Sequence, residues 1–173
     1  MLDLSLVIPV YNEELRIGKT LQNYTDHLRH YLPGQFEIIV VLNGCRDKSL
    51  DIVRAFAQKH TEVRYANIAQ AIGKGGAVLH GLQIAKGKII GFLDADSAFD
   101  LAAVQLMIRA LLKGDVDCFI ASKWKNIRFS AVAEPFARKV LSRGWNTLVK
   151  ILLGIHVEDT QAGAKFMRKE VFQ

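Results

Sequence analysis

Leu4-Ser5-Leu6-Val7-Ile8-Pro9-Val10, followed by Tyr11-Asn12-Glu13-Glu14, is the stretch that decides the fold. Residues 4–10 are apolar apart from Ser5 and Pro9, and they predict a strand buried on both faces, as in a parallel sheet. Asn12-Glu13-Glu14 then supplies a helix-start signal. Leu15, Ile17, Leu21, Tyr24, Leu28 and Tyr31 recur at helical spacing until Pro33-Gly34 ends the segment. The product is a strand, a polar turn and a helix.

The same unit repeats along the chain. Residues 37–42 read as a strand, 43–47 as a turn, and 48–60 as a helix with Ile52, Val53 and Phe56 inward. A short strand at 63–67 precedes a Gly-rich turn at 73–76, a helix to Ala85 and a strand at 89–93. A helix at 101–112 and a strand at 118–121 follow. Strands alternating with helical stretches of this length predict an α/β fold with a mostly parallel sheet. Residues 129–153 stand outside this alternation as a basic, amphipathic stretch, with Arg138, Lys139, Arg143 and Lys150 among Val140, Leu141, Trp145, Leu148 and Leu152. A helix is expected after Phe166, so the 173 residues read as one domain within a longer protein.

At 50% hydrophobic and 23% charged residues, the chain can bury a substantial core. Its net charge of +6 favours an anionic partner without choosing among nucleotide diphosphates, lipid phosphates, membranes and nucleic acids. Cys45 and Cys118 match neither a zinc-ligand pair nor a disulfide framework, which predicts a reducing, cytosolic setting. The opening residues lack signal-peptide features, and no run approaches the ~18 apolar residues of a membrane span. The sequence therefore predicts a non-secreted chain, soluble or peripheral, at a cytoplasmic membrane face if it meets lipid. Basic residues are not interleaved with an aromatic stacking surface, which argues against nucleic acid.

In open α/β sheets ligands bind beyond the carboxyl ends of the strands. Four polar turns fall there: Tyr11-Asn12-Glu13, Asn43-Gly44-Cys45-Arg46-Asp47, Gly73-Lys74-Gly75-Gly76 and Asp94-Ala95-Asp96. In an extended segment the carboxylates of Asp94 and Asp96 would point to the same side and could share one cation. Mg²⁺ and Mn²⁺ take carboxylate and phosphate oxygens and keep several waters, so such a pair suits a diphosphate-bridging metal. A helix cap with a solvated neighbour is the competing reading for the pair alone. The glycines at 73–76 let backbone N–H groups approach an anion at a helix start, with Lys74 adding a charge. The Gly-Lys-Ser/Thr ending of a Walker A loop is absent. Cys45 and His80 are read as structural.

Taken in order, these turns resemble the family 2 glycosyltransferases of GT-A fold, most closely the polyprenyl-phosphate (dolichyl-phosphate) glucosyl- and mannosyltransferases. The resemblance rests on residues 7–14, Gly73-Lys74-Gly75-Gly76-Ala77 with Gly81 and Ala85, Phe92-Leu93-Asp94-Ala95-Asp96, Ser122-Lys123, Arg138 with Ser142, and Asp159-Thr160-Gln161-Ala162-Gly163-Ala164-Lys165-Phe166. It implies a Rossmann-like three-layer fold and an inverting transfer of a hexose from UDP-glucose or GDP-mannose to a polyprenyl phosphate. Pro9, Tyr11, Asn12, Glu13, Asn43, Lys74 and Asp94 would bind the donor nucleotide, and Asp94 and Asp96 would hold Mg²⁺ or Mn²⁺. Asp96 and Asp159 would act in catalysis, and Lys123, Arg138, Ser142 and Gln161 would meet the acceptor phosphate.

Three positions depart from the family pattern. Leu42-Asn43-Gly44-Cys45 stands where Asp-Asp-Gly-Ser is frequent, so a carboxylate that would accept from the base is replaced by an amide that both accepts and donates. Ala98 replaces a polar residue beside the metal pair, and Lys123 replaces a bidentate Arg with a point charge. A lipid-phosphate acceptor is already ionised near neutral pH and needs no strong base. A saccharide hydroxyl acceptor would need one, with Asp159 or Glu158 the candidate. A non-catalytic nucleotide-binding module of the same fold is the further alternative. The 129–153 stretch suits either a solvated face over a core or an interfacial helix at a lipid surface. Oligomeric state is not legible.

Overall fold

The computed structural model describes residues 2–96, 100–120 and 163–172. The elements are β1 (Leu4–Val10), α1 (Ile17–Tyr31), β2 (Phe36–Asn43), α2 (Ser49–Ala57), β3 (Val63–Ile68), α3 (Gly73–Ile84), β4 (Ile89–Leu93), α4 (Leu101–Lys113), β5 (Cys118–Ile120) and β6 (Ala164–Arg168). A single sheet of six strands runs in the order β3-β2-β1-β4-β6-β5. β1 to β4 are mutually parallel, and β6 lies antiparallel between β4 and β5.

The apolar runs go where continuous hydrophobicity sends them. β2 is buried along its whole length, and β1 along all but Pro9. Odd and even positions serve two cores. Leu4, Leu6, Ile8 and Val10 meet Ile38, Val40 and Leu42 beneath Ile17, Leu21, Tyr24 and Leu28 of α1, Val53 of α2, and Val104, Ile108 and Leu111 of α4. Val7, Ile39, Val41 and Ile90 face Ala77 and Leu82 of α3 on the other side. Gly81 makes that second layer close: a Cβ there would lie 2.3 Å from Val7 Cγ1. Three layers result, with α1, α2 and α4 on one face of the sheet and α3 on the other.

Four expectations change. Leu15 precedes α1 and is 93% exposed, because the Arg16 and Ile17 amides both donate to Glu13 O and form a turn before the helix starts. α2 ends at Ala57 rather than at residue 60. Gly73-Lys74-Gly75-Gly76 is the first turn of α3, entered through Gly73 at φ +76°, rather than a turn ahead of it. After Phe166 the chain first completes a strand, β6 at residues 164–168, and the expected helix is only a three-residue 3-10 helix at Lys169–Val171. Phe166 is fully buried, filling the space that Gly91 leaves opposite it in register. Ala121, the last residue of the predicted 118–121 strand, and the basic 129–153 stretch lie outside the described residues.

Candidate functional site

The chain builds β1, β2 and β3 outward in one direction and then returns to lay β4 on the other side of β1. That reversal places a switch point between β1 and β4, where the connections leave in opposite directions and a crevice opens at the carboxyl edge. Pairing between β1 and β4 stops at Val7 and Phe92, whereas β1 stays paired with β2 as far as Val10 and Leu42. Beyond those positions lie the turns after β1 and β4, with the start of α3 nearby.

The turn after β1 is tied down by polar contacts to the start of α2. Asn12 adopts φ 54°, and its Oδ1 accepts the Arg46 amide at 2.8 Å. The Glu13 amide donates to Ser49 Oγ at 2.8 Å, and the Glu14 amide to Asp47 Oδ2 at 2.9 Å. In return, Glu14 Oε2 accepts the Lys48 amide and Asp47 Oδ1 the Ser49 amide, at 2.9 and 3.0 Å. Burial tends to raise the Asp47 carboxyl, but the Ser49 side chain and the Ser49 and Glu14 amides outweigh it and hold the group below its ordinary value. Glu13 pairs with Arg16 at 2.7 Å. Pro9 is half-buried at the end of β1, and Tyr11 is 56% exposed at the crevice.

Asn43 ends β2 almost buried, and its Oδ1 accepts the Ile72 amide at 2.7 Å. That bond supplies the start of α3 with an acceptor, since Ile72 offers no side-chain cap. Asn43 therefore holds the segment before α3, and its acceptor oxygen is already engaged. The next residue must be glycine: Gly44 has φ +69°, and a Cβ there would lie 2.7 Å from Ala71 N. Beside them, Gly73 and Gly75 border open space.

Lys74, on the first turn of α3, reaches Asp94 beyond β4, with Nζ 2.7 Å from Oδ1 and 2.9 Å from Oδ2. Asp94 Oδ1 is buried and takes no hydrogen bond of acceptable geometry, so the ammonium balances it by charge alone. After Asp94 the chain turns instead of staying extended. Ala95 packs into the core, and its carbonyl accepts the Thr20 hydroxyl at 2.8 Å. Asp94 is left half-buried and Asp96 exposed on either side of that anchor. The two aspartates are thus set by a pinned turn rather than by strand alternation. The Asp94 amide donates to Gly163 O at 3.2 Å, which joins the turn to the chain entering β6.

The described site thus gathers Tyr11, Asn12, Glu13, Asn43, Lys74, Asp94 and Asp96 along one edge of the sheet, with Pro9 just inside it. Ala98, Ser122, Lys123, Arg138, Ser142, Glu158, Asp159 and Gln161 lie outside the described residues. Among the described residues no group of three or more His, Cys, Asp and Glu is clustered to hold a metal. An Asp pair with a buried, charge-balanced oxygen still suits a cation that completes its shell with phosphate and water. The supporting roles of Glu14, Asp47, Ser49 and Thr20 were not read from the sequence. Asp47-Lys48-Ser49 before a helical run was the available signal for the first of these contacts.

The profile of Glycosyl transferase family 2 matches residues 5–173. Dolichyl-phosphate beta-glucosyltransferase ALG5A of Trichomonas vaginalis is 33% identical over 176 residues, covering 96% of this chain and 53% of that protein. Glycosyltransferase AglD of Haloferax volcanii is 30% identical over 172 residues, 99% of this chain and 27% of its own length. The chain thus spans about half or less of these relatives. The mannosyltransferase PcManGT of Pyrobaculum calidifontis, solved with GDP-Man and Mn²⁺, superposes with a TM-score of 0.69 at 20% identity over 98% of this chain and 45% of that one. Glucosyl-3-phosphoglycerate synthase of Mycobacterium tuberculosis, solved with Mn²⁺, UDP-glucose and phosphoglyceric acid, gives 0.67 at 21% identity over 98% and 57%. The architecture, a mostly parallel sheet between helical layers with an antiparallel strand beyond the switch point, is the GT-A fold. With the family profile covering nearly all of its length, the chain belongs to glycosyl transferase family 2.

Proposed function

We propose that this chain is the donor-binding unit of an inverting hexosyltransferase that uses a nucleoside diphosphate sugar and a polyprenyl-phosphate acceptor. The observation that carries the reading is the pairing of Lys74 with Asp94 at the switch point, next to the glycine-rich first turn of α3. A carboxylate there invites a cation, and a helix start with an ammonium invites an anion. A metal diphosphate offers both. Relatives whose names specify dolichyl phosphate as acceptor support the lipid-phosphate choice, and fold neighbours solved with UDP-glucose or GDP-Man support the donor class.

In this reading the residues of the chain divide the work. Asp94 and Asp96 hold Mg²⁺ or Mn²⁺, whose charge, when bound, stabilises the phosphate that departs from the sugar. Thr20, by fixing the Ala95 carbonyl, keeps both carboxylates in place. The backbone amides at the start of α3 and the Lys74 ammonium supply positive charge to the diphosphate. Tyr11 and the tied turn at 11–14 border the nucleoside. Lys123, Arg138, Ser142 and Gln161 are assigned to the acceptor phosphate, and the basic 129–153 stretch to an anionic membrane surface, on the family pattern and on sequence alone.

Among the described residues no helix is long and apolar enough to cross a membrane. Thermal shift with a panel of UDP- and GDP-sugars, with and without Mn²⁺, tests the donor reading, because a ligand that binds only the native state raises apparent stability. Wild type should gain a metal-dependent shift with one base series, and Asp96→Asn should lose the metal dependence while remaining folded. Metal-independent binding of unchanged affinity in Asp96→Asn would refute the assignment.

A further inference from the structure

We infer that Lys74 is the built-in counter-ion of Asp94: it holds the carboxylate against a bare divalent cation and yields it to a cation that arrives with a diphosphate. This rests on the reading of Asp94 and Asp96 as the metal pair. The ammonium is within 2.9 Å of both Asp94 oxygens and so covers the face a cation would use. A metal coming alone must displace or neighbour a like charge. A metal coming with a diphosphate brings acceptor oxygens to which the ammonium can transfer.

The surroundings allow that exchange. The Lys74 side chain is 57% exposed and the Asp94 side chain only 25%, so the movable partner is the one in solvent. Its tether is a flexible stem on the first turn of a helix, and the open space beside Gly73 and Gly75 lies next to it. Asp94 has no such freedom, since its amide is bonded to Gly163 O and the following carbonyl to Thr20. An ion pair of this exposure is worth a factor of about five at most. It is strong enough to bias a weak metal site and weak enough to break when phosphate is offered. Metal and nucleotide then load together more readily than metal alone.

The test measures Mn²⁺ binding to the 173-residue chain without nucleotide, by the electron paramagnetic resonance signal of free Mn²⁺, in wild type and in Lys74→Met, Lys74→Arg and Asp94→Asn. Lys74→Met should bind bare Mn²⁺ more tightly than wild type, by up to about fivefold. Lys74→Arg should match wild type, and Asp94→Asn should bind none. With Mn²⁺ present, UDP or GDP should bind Lys74→Met more weakly than wild type. Equal or weaker bare Mn²⁺ binding in a folded Lys74→Met, with Mn²⁺ still tightening nucleotide binding, overturns this inference alone. Absence of any Mn²⁺ effect on UDP or GDP binding in wild type overturns the metal reading beneath it as well.

Discussion

The Ser5 hydroxyl donates to Glu37 Oε1 at 2.6 Å across the amino-terminal ends of β1 and β2, at the opposite edge of the sheet from Asp94. The pair anchors a buried network. Arg64 Nε donates to Glu37 Oε2 at 2.6 Å, and its Nη2 caps the Ile84 carbonyl at the end of α3. The Lys86 amide reaches both Ser5 Oγ and Glu37 Oε1, and the Gly87 amide reaches Ser5 Oγ at 2.7 Å. One carboxylate thus joins β1, β2, β3 and the connection from α3 into β4, and so fixes the strand that presents the aspartates.

Its titration gives a prediction. Burial would raise the Glu37 carboxyl, but Arg64, Ser5 and the Lys86 amide together hold it below the ordinary 4.5. A group depressed in the folded state stabilises above its unfolded value, and that contribution is lost as pH falls through the folded one. Glu37→Gln should therefore cost about 2–3 kcal/mol at pH 7, where Arg64 loses its charged partner. The penalty should shrink as pH drops below 4.5. Urea unfolding from pH 7 to pH 3 reads both effects, and a penalty independent of pH would contradict the charged role of Glu37.

Asn43 separates a structural from a base-reading role. Because its Oδ1 holds the Ile72 amide, Asn43→Ala should cost about 1–3 kcal/mol by leaving that donor unsatisfied. Asn43→Asp keeps an acceptor and should stay within about 1 kcal/mol of wild type. Hydrogen exchange at the Ile72 amide should accelerate in the alanine variant only. Equal protection in all three would remove the latch role.

The parallel sheet was legible because residues 4–10 are apolar apart from Ser5 and Pro9 and residues 38–42 are apolar throughout, which burial on both faces explains. The turns after residues 10, 42 and 93 were legible for the same reason, since each follows such a run, whereas Gly73-Lys74-Gly75-Gly76 proved to be the start of α3. β6 was not. It is a five-residue strand containing Lys165 and Arg168, and its identity comes from pairing with β4 and from Phe166 filling the space at Gly91. The site divides similarly. Residue type pointed to Asp94, Asp96 and Lys74, but the contact of Lys74 with Asp94 spans a helix and a strand, and no local pattern encodes it. The bond of Asn43 to Ile72 was not legible either, because it crosses 29 residues of sequence.

Gly81 gives a packing prediction that bears on the site. A methyl there would press on Val7 and Val41 and push α3 from the sheet. Gly81→Ala should cost about 1–3 kcal/mol, the usual penalty of overpacking. Since α3 carries Lys74, the same variant should also loosen the ion pair with Asp94. Gly81→Ala combined with Val7→Ala should recover part of the lost stability, as measured by chemical unfolding. A double variant no more stable than the sum of its parts would show that the contact is not the cause.

The tie between the turns after β1 and β2 gives the last prediction. Asp47 accepts from the Glu14 and Ser49 amides, while Glu14 accepts from the Lys48 amide, so each carboxylate satisfies backbone donors of the other's segment. Asp47→Ala removes two charge-assisted bonds and should cost about 1–2 kcal/mol. The Asp47 carboxyl is depressed, so its contribution is present above the ordinary 3.8 and disappears as pH falls below it. Wild type and Asp47→Ala should therefore converge in stability at low pH. Tyr11 sits on the same tied turn, so the loosened chain should also bind nucleotide severalfold more weakly, at roughly 1 kcal/mol. Bare Mn²⁺ binding should not change, because Asp94 is anchored separately through Thr20 and Gly163. Isothermal titration of nucleotide and metal in Asp47→Ala distinguishes the two anchors: a parallel loss of both affinities would mean that the turns after β1 and β4 move as one.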